Sequence, residues 1–130
     1  MSQTIRQTAT FKASPHDVYE LLMDSKKHGQ MEGGETKISR QVGGTFSISD
    51  GDITGRNLEL VPDEKIVQSW RYSDWPAGVY SRVTFALAKV GDRTRLTFTQ
   101  SGVPDEHYAE IKQGWLDYYW GPMKQLFGAG

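Results

Sequence analysis

Three histidines, His16, His28 and His107, and a scatter of carboxylates are the residues of this chain best suited to proton transfer or metal binding. Imidazole titrates near neutrality and its unprotonated nitrogen ligates metals, so spacing decides between these uses. No two histidines stand four residues apart on one helical face and none sits in an HExxH frame, so no zinc site is predicted. Each falls at a predicted helix start or loop, where a surface or capping role is expected. Asp50, Asp52, Asp63 and Glu64 flank turns, where short acidic side chains accept backbone hydrogen bonds, and this explains them better than acid catalysis or calcium binding. Gly43-Gly44 is followed by neither a helix nor a Lys-Ser/Thr pair, so it is not a phosphate cradle. The sequence assigns no catalytic residue, no metal and no cofactor.

The aromatic residues are more informative. Of fifteen, ten lie in two segments: Trp70, Tyr72, Trp75 and Tyr80 in one, and Tyr108, Trp115, Tyr118, Tyr119, Trp120 and Phe127 in the other. Rings at sheet and helix spacing usually form core. Here they are also expected to meet and wall a cavity, lined by Trp70, Tyr72, Trp115 and Tyr118. Apolar pockets carrying a few polar groups are the usual sites for small molecules. Strand parity places Gln7, Arg56 and Gln68 on inward faces as those polar groups. Trp75 belongs to Asp74-Trp75-Pro76-Ala77-Gly78, a predicted hairpin tip, and is expected either to fold over the cavity mouth or to form part of a partner surface.

The elements that must position these residues follow from the pattern. Thr4 to Phe11 alternates as a half-buried strand, with Ile5, Gln7, Ala9 and Phe11 on one face. Ser14 is a predicted N-cap, Pro15 suits the first helical position, and Val18, Leu21 and Leu22 give a short amphipathic helix. A second, weak helix is expected between Asp24 and the Gly33-Gly34 loop. Alternating runs follow at 35–40, 45–49, 53–61, 65–73, 80–89 and 94–100, joined by short turn-rich links that predict an antiparallel meander. Parity groups Phe46 with Ile48, Leu58 with Leu60, Ile66 with Trp70 and Tyr72, Val83 with Phe85 and Leu87, and Leu96 with Phe98 on the inward face.

Asp105 to Phe127 is the longest helical pattern. Ile111, Trp115, Tyr118, Pro122 and Leu126 form one predicted stripe, with Leu116, Trp120, Met123 and Phe127 beside it. Together they span roughly half the circumference, more than the ~100° one core contact needs. A kink or break is expected near Pro122, which deletes the hydrogen bond to the Tyr118 carbonyl and crowds it. A sheet with one apolar face and such a helix predict a two-layer α+β domain over residues 1–130.

Composition removes several classes. The chain has 130 residues, 15 basic and 16 acidic side chains and no cysteine. Disulfide frameworks and thiol chemistry are excluded, and a reducing, cytoplasmic location is expected. Interspersed charges offer no surface for nucleic acid. Met1 to Ser14 holds no apolar run of seven, so neither a signal peptide nor a membrane span is expected. A chain of this size buries about two thirds of its unfolded surface, enough for a core without staples.

Four segments, Ile53-Thr54-Gly55-Arg56-Asn57-Leu58-Glu59-Leu60-Val61-Pro62, Ile66-Val67-Gln68-Ser69-Trp70-Arg71, Asp74-Trp75-Pro76 and Gly114-Trp115-Leu116-Asp117-Tyr118-Tyr119-Trp120, occur in an order that resembles the C-terminal-type domain of activators of the heat-shock protein 90 ATPase. The likeness runs from Phe11-Lys12-Ala13-Ser14-Pro15 to Lys124-Gln125-Leu126-Phe127-Gly128. It implies the START-like (SRPBCC) helix-grip fold, a curved sheet of about six or seven strands around a long C-terminal helix with a cavity between them. Three functions are expected from residues and resemblance together. The first is a non-enzymatic module binding a hydrophobic or aromatic small molecule through Arg56, Gln68, Trp70, Tyr72, Trp75, Trp115 and Tyr118. The second, implied by the resemblance, is a co-chaperone-like protein that binds heat-shock protein 90 and modulates its ATPase. The third is a cyclase or hydrolase in the same cavity, which requires a titratable group pointing inside. A monomer or weak dimer is expected, with an exposed Trp75 or Trp120 favouring the dimer.

Overall fold

A computed structural model describes residues 2–128. Seven antiparallel strands form one sheet: β1 (Ser2–Phe11), β2 (Lys37–Ile38), β3 (Thr45–Ile48), β4 (Ile53–Val61), β5 (Lys65–Tyr72), β6 (Ser81–Val90) and β7 (Arg93–Pro104). Their order is β1-β7-β6-β5-β4-β3-β2, so β2 to β7 are the predicted meander and β1 joins its far edge by pairing with β7. α1 (Pro15–Met23) and α2 (Ser25–Glu32) follow β1. The chain returns across the sheet as a 3-10 turn (Asp105–His107), α3 (Tyr108–Trp115), a π-helical turn (Leu116–Trp120) and α4 (Gly121–Phe127). This is the α+β helix-grip architecture, and no described helix is long and apolar enough to cross a membrane.

Local chemistry sets the element boundaries. The Ser14 hydroxyl accepts from Asp17 N at 3.1 Å and Pro15 opens α1, as predicted. Asp24 repeats the device for α2, accepting from Lys27 N at 2.9 Å, and that contact holds its carboxyl below the usual carboxylate range. The inward sheet face carries the predicted Phe46, Ile48, Ile66, Trp70, Val83, Phe85, Leu96 and Phe98, all buried.

Three expectations are corrected. The run at 35–40 pairs only over Lys37–Ile38. In β4 a bulge lies between Asn57 and Glu59, which breaks the alternation: Asn57 is buried, Leu58 is exposed, and the inward parity returns only at Leu60. Arg56 therefore lies on the outer face and donates from Nη1 to Gly43 O at 3.1 Å.

The third correction concerns the C-terminal helix. The irregularity expected near Pro122 is there, as a π turn just ahead of it in which Gly121 N bonds to Leu116 O, and it overturns the predicted stripe. Each residue of a wider turn advances less around the axis, so the apolar stripe shifts. Tyr119, Trp120 and Met123 continue the buried line from Ile111 and Trp115, whereas Tyr118 and Leu126 are 60% and 62% exposed. Gly121 permits the turn, because a Cβ there would lie 2.9 Å from Leu116 O. At the turn's start, Leu116 N bonds to Gln113 O. The Lys112 carbonyl, which a regular α-turn would give to Leu116, accepts from Gln7 Nε2 at 3.1 Å. Gln7 Oε1 also accepts from Trp120 Nε1 at 2.6 Å, so Gln7 clamps the helix to β1 rather than serving the cavity.

Candidate functional site

Between the helix and the sheet lies a cavity of about 350 Å³. Ile53, Trp70 and Tyr72 supply its sheet wall, and Glu110, Ile111, Gly114, Trp115, Tyr118 and Tyr119 its helix wall. Glu32, the last residue of α2, and Ser49 and Asp52 of the β3–β4 turn complete it. Space remains there because α3 meets the sheet through Ile111 and Trp115 while Gly114, between them, contributes no side chain.

The rings form a contiguous array behind this space. Trp70 and Trp115 have centroids 5.6 Å apart, Trp115 and Tyr119 4.5 Å, and Phe98 and Trp115 4.3 Å. Offset and edge contacts at these separations add to simple burial. Trp115 Nε1 donates to Gln100 Oε1 at 2.7 Å, Gln100 Nε2 to Ser81 Oγ at 2.9 Å, and Ser81 Oγ to Trp70 O at 2.9 Å. This buried chain fixes Trp115, on the helix, to the strand that carries Trp70.

A second buried polar cluster stands at the α2 end. His28, 3% exposed, has Nδ1 3.0 Å from Leu22 O and Nε2 2.8 Å from the Tyr119 hydroxyl. A carbonyl only accepts, so Nδ1 carries a proton. Burial lowers the His28 pKa and keeps the ring neutral, so Nε2 accepts from Tyr119. Burial pushes the Glu32 carboxyl up to about 7, an effect that the nearby Tyr119 hydroxyl offsets in part. Tyr119 has one proton for two acceptors, and protonation of Glu32 resolves that competition. Its own hydroxyl is held well above the ordinary phenol range, first by burial and then by Glu32. Glu32 Oε1 is buried without a hydrogen-bond partner.

The opposite rim is strained and acidic. Ser49, Asp50 and Gly51 have φ of 58°, 61° and 93°, a left-handed run that L side chains adopt at a cost. It is held by paired backbone and side-chain contacts: Asp50 N donates to Glu35 O at 2.9 Å, and Asp50 Oδ1 accepts from Glu35 N at 2.8 Å. Burial and then the fields of Asp52, Asp74 and Glu110 raise the Tyr72 hydroxyl. Among the described residues no group of His, Asp and Glu is arranged to hold a metal ion.

A family model described as Activator of Hsp90 ATPase homolog 1-like protein matches residues 12–128. The chain belongs to this family. Activator of 90 kDa heat shock protein ATPase homolog 1 from Homo sapiens is 30% identical over 121 residues, which are 93% of this chain and 36% of that protein. The chain thus spans little more than a third of that relative's length. The crystal structure of PFC0360w, an HSP90 activator from Plasmodium falciparum, superposes with a TM-score of 0.90 at 24% identity, covering 98% of this chain and 97% of that one. The solution structure of the Aha1 dimer from Colwellia psychrerythraea does so with a TM-score of 0.82 at 19% identity, covering 98% and 99%. These two likenesses concern the fold.

In this Activator of Hsp90 ATPase homolog 1-like chain, the residues singled out from sequence divide into three groups. Trp70, Tyr72, Trp115 and Tyr118 line the cavity together, Tyr118 at its exposed mouth. Gln68 is buried behind them, donating to Asn57 Oδ1 at 3.0 Å beside a void of about 10 Å³ that no ligand could enter. Trp75 does not line the cavity. It is 2% exposed, edge-on to Trp70 at 5.5 Å and 6.3 Å from His107, so it braces the wall from behind. Arg56 is outside altogether.

His28, Glu32 and Tyr119 were missed as site residues. His28 reads as a surface or capping histidine because α2 is polar overall, and only the fold of α2 onto the π turn buries it. Tyr119 falls off the predicted stripe by one position, the shift the π turn introduces. Glu32 carried no signal beyond its place before Gly33-Gly34. The carboxyl groups that line the cavity are those of Glu32, Asp52 and Glu110, and neither Arg56 nor a histidine is among its lining residues. Trp75 and Trp120 are both buried, which removes the exposed-tryptophan argument for a dimer.

Proposed function

We propose that this protein is a binding module whose cavity takes an aromatic or hydrophobic small molecule. The observation that carries the reading is the space of about 350 Å³ walled by Trp70, Tyr72, Trp115 and Tyr118, with the Trp115 ring tied through Gln100 and Ser81 to the backbone of Trp70. A volume of this order suits a compact ligand. Rigid rings present contact area without loss of side-chain freedom on binding. NMR shift mapping against a panel of aromatic metabolites and short lipids tests it. Changes should concentrate on Tyr72, Gly114 and Tyr118, and changes scattered over the surface, or none, reject it.

A second reading is favoured by the sequence likeness: a cytoplasmic, chaperone-associated protein that binds heat-shock protein 90, as a monomer or weak dimer. Its support is the 30% identity to a human protein named as an activator of that ATPase and the family match over residues 12–128. The purified protein should bind the same organism's chaperone at micromolar concentration or change its ATPase rate. Absence of both effects rejects this reading.

A further inference from the structure

The charge of the cavity wall narrows the ligand. Its twelve residues include Glu32, Asp52 and Glu110 and not one Lys, Arg or His. Among the described residues none of these three carboxylates is in an ion pair, although Glu20, Glu35, Glu59, Asp63 and Asp92 all have a basic or histidine partner nearby. Asp52 and Glu110 stand at the exposed mouth and Glu32 farther in, its Oε1 buried and unpartnered. Acidic side chains on a surface are usually solvated and need no partner. Here they border a half-open aromatic pocket, whose low-dielectric walls focus their field. Trp70, Tyr72, Trp115 and Tyr118 line the same space, and an aromatic ring attracts a cation placed over its face.

We infer that the ligand of this cavity is an organic cation, an aromatic or alkyl ammonium whose apolar body packs on Trp70 and Trp115 and whose charged nitrogen lies at the mouth with Asp52 and Glu110. The inference rests on the small-molecule reading above and assigns its chemical class. It excludes fatty acids and other carboxylates, for which the wall offers no basic group.

Three probes of one shape and different charge test it: 2-phenylethylammonium, 2-phenylethanol and 3-phenylpropionate, titrated at low salt against the intact protein by NMR and tryptophan fluorescence. The ammonium should bind at least tenfold more tightly than the alcohol and more than that over the carboxylate. Asp52→Asn combined with Glu110→Gln should cut the preference over the alcohol several-fold. Both residues are exposed, so the double variant should keep the wild-type fold, which its NMR spectrum verifies. Alcohol or carboxylate binding as tightly as the ammonium overturns the cation assignment and leaves the aromatic cavity standing. Failure of all three probes to move cavity resonances overturns both. Retention of the full preference in the double variant overturns the role of the mouth carboxylates and with it the inference.

Discussion

The two halves of the C-terminal helix meet the same sheet differently. Past the π turn, Trp120 and Met123 are buried, Trp120 lies 5.3 Å from Phe98, and Phe127 stands 6.2 Å edge-on to Phe11 of β1. Ahead of it, Ile111 and Trp115 touch the core while Gly114 and Tyr118 leave about 350 Å³. The closed half is tied to β1 and the residue after it, Trp120 bonding to Gln7 and Gly128 O accepting from Lys12 N. The open half faces β4 and β5, and only the last residue of α2 and a strained turn flank it. A cavity in a close-packed fold therefore marks where neither helix nor sheet supplies a side chain and where the cover comes from short, polar elements.

The largest test of this contrast exchanges a ring at each end. Phe98→Ala removes a fully buried side chain from the packed core beneath Trp115 and Trp120 and should cost about 3–5 kcal/mol in urea unfolding. Tyr118→Ala, at the mouth, should stay within about 0.5 kcal/mol. Equal losses at the two sites would remove the distinction.

The two glycines of the helix sharpen it at smaller scale. A Cβ at Gly121 would press on Leu116 O, backbone that cannot step aside, whereas one at Gly114 meets only Tyr118 Cδ2 at 3.9 Å. Gly121→Ala should destabilise by about 1–3 kcal/mol. Gly114→Ala should gain up to about 1 kcal/mol, because alanine replaces glycine within a helix. Thermal midpoints moving in the same direction would contradict this difference.

The smallest effect appears only as a pH dependence. A carboxyl raised to about 7 favours the protonated folded state, so Glu32 contributes stability that is complete below about 4.5, its unfolded value, and lost as pH rises through 7. His28 acts oppositely: its pKa is lowered by burial, so stability is lost as pH falls below 6.5. Glu32→Gln should be close to neutral at pH 5 and stabilising at pH 8, with the acid-side decline unchanged. A stability difference that does not vary between those pH values would show that Glu32 is not held protonated by its surroundings.

Much of this was legible along the chain, and the failures have specific causes. Alternation and turn residues located β1 and β3 to β7, and Ser14-Pro15 located α1. Parity failed in β4 because one inserted residue at the bulge reverses every side chain before or after it, which exchanged Arg56 for Asn57 on the inner face. Helical periodicity failed after Trp115 for the same reason in another geometry, since the π turn moved Tyr119 inward and Tyr118 outward.

By itself, the sequence determined the class of fold, the two aromatic segments that meet, and the absence of thiol chemistry, because these depend on residue type and local period. Only the tertiary structure decided that a bulge and a π turn would shift the faces, that His28 and Tyr119 would be buried together, and that three carboxylates from α2, the β3–β4 turn and α3 would border one space. Glu32, Asp52 and Glu110 are far apart along the chain, and their shared field arises from distance in space, which no local pattern encodes.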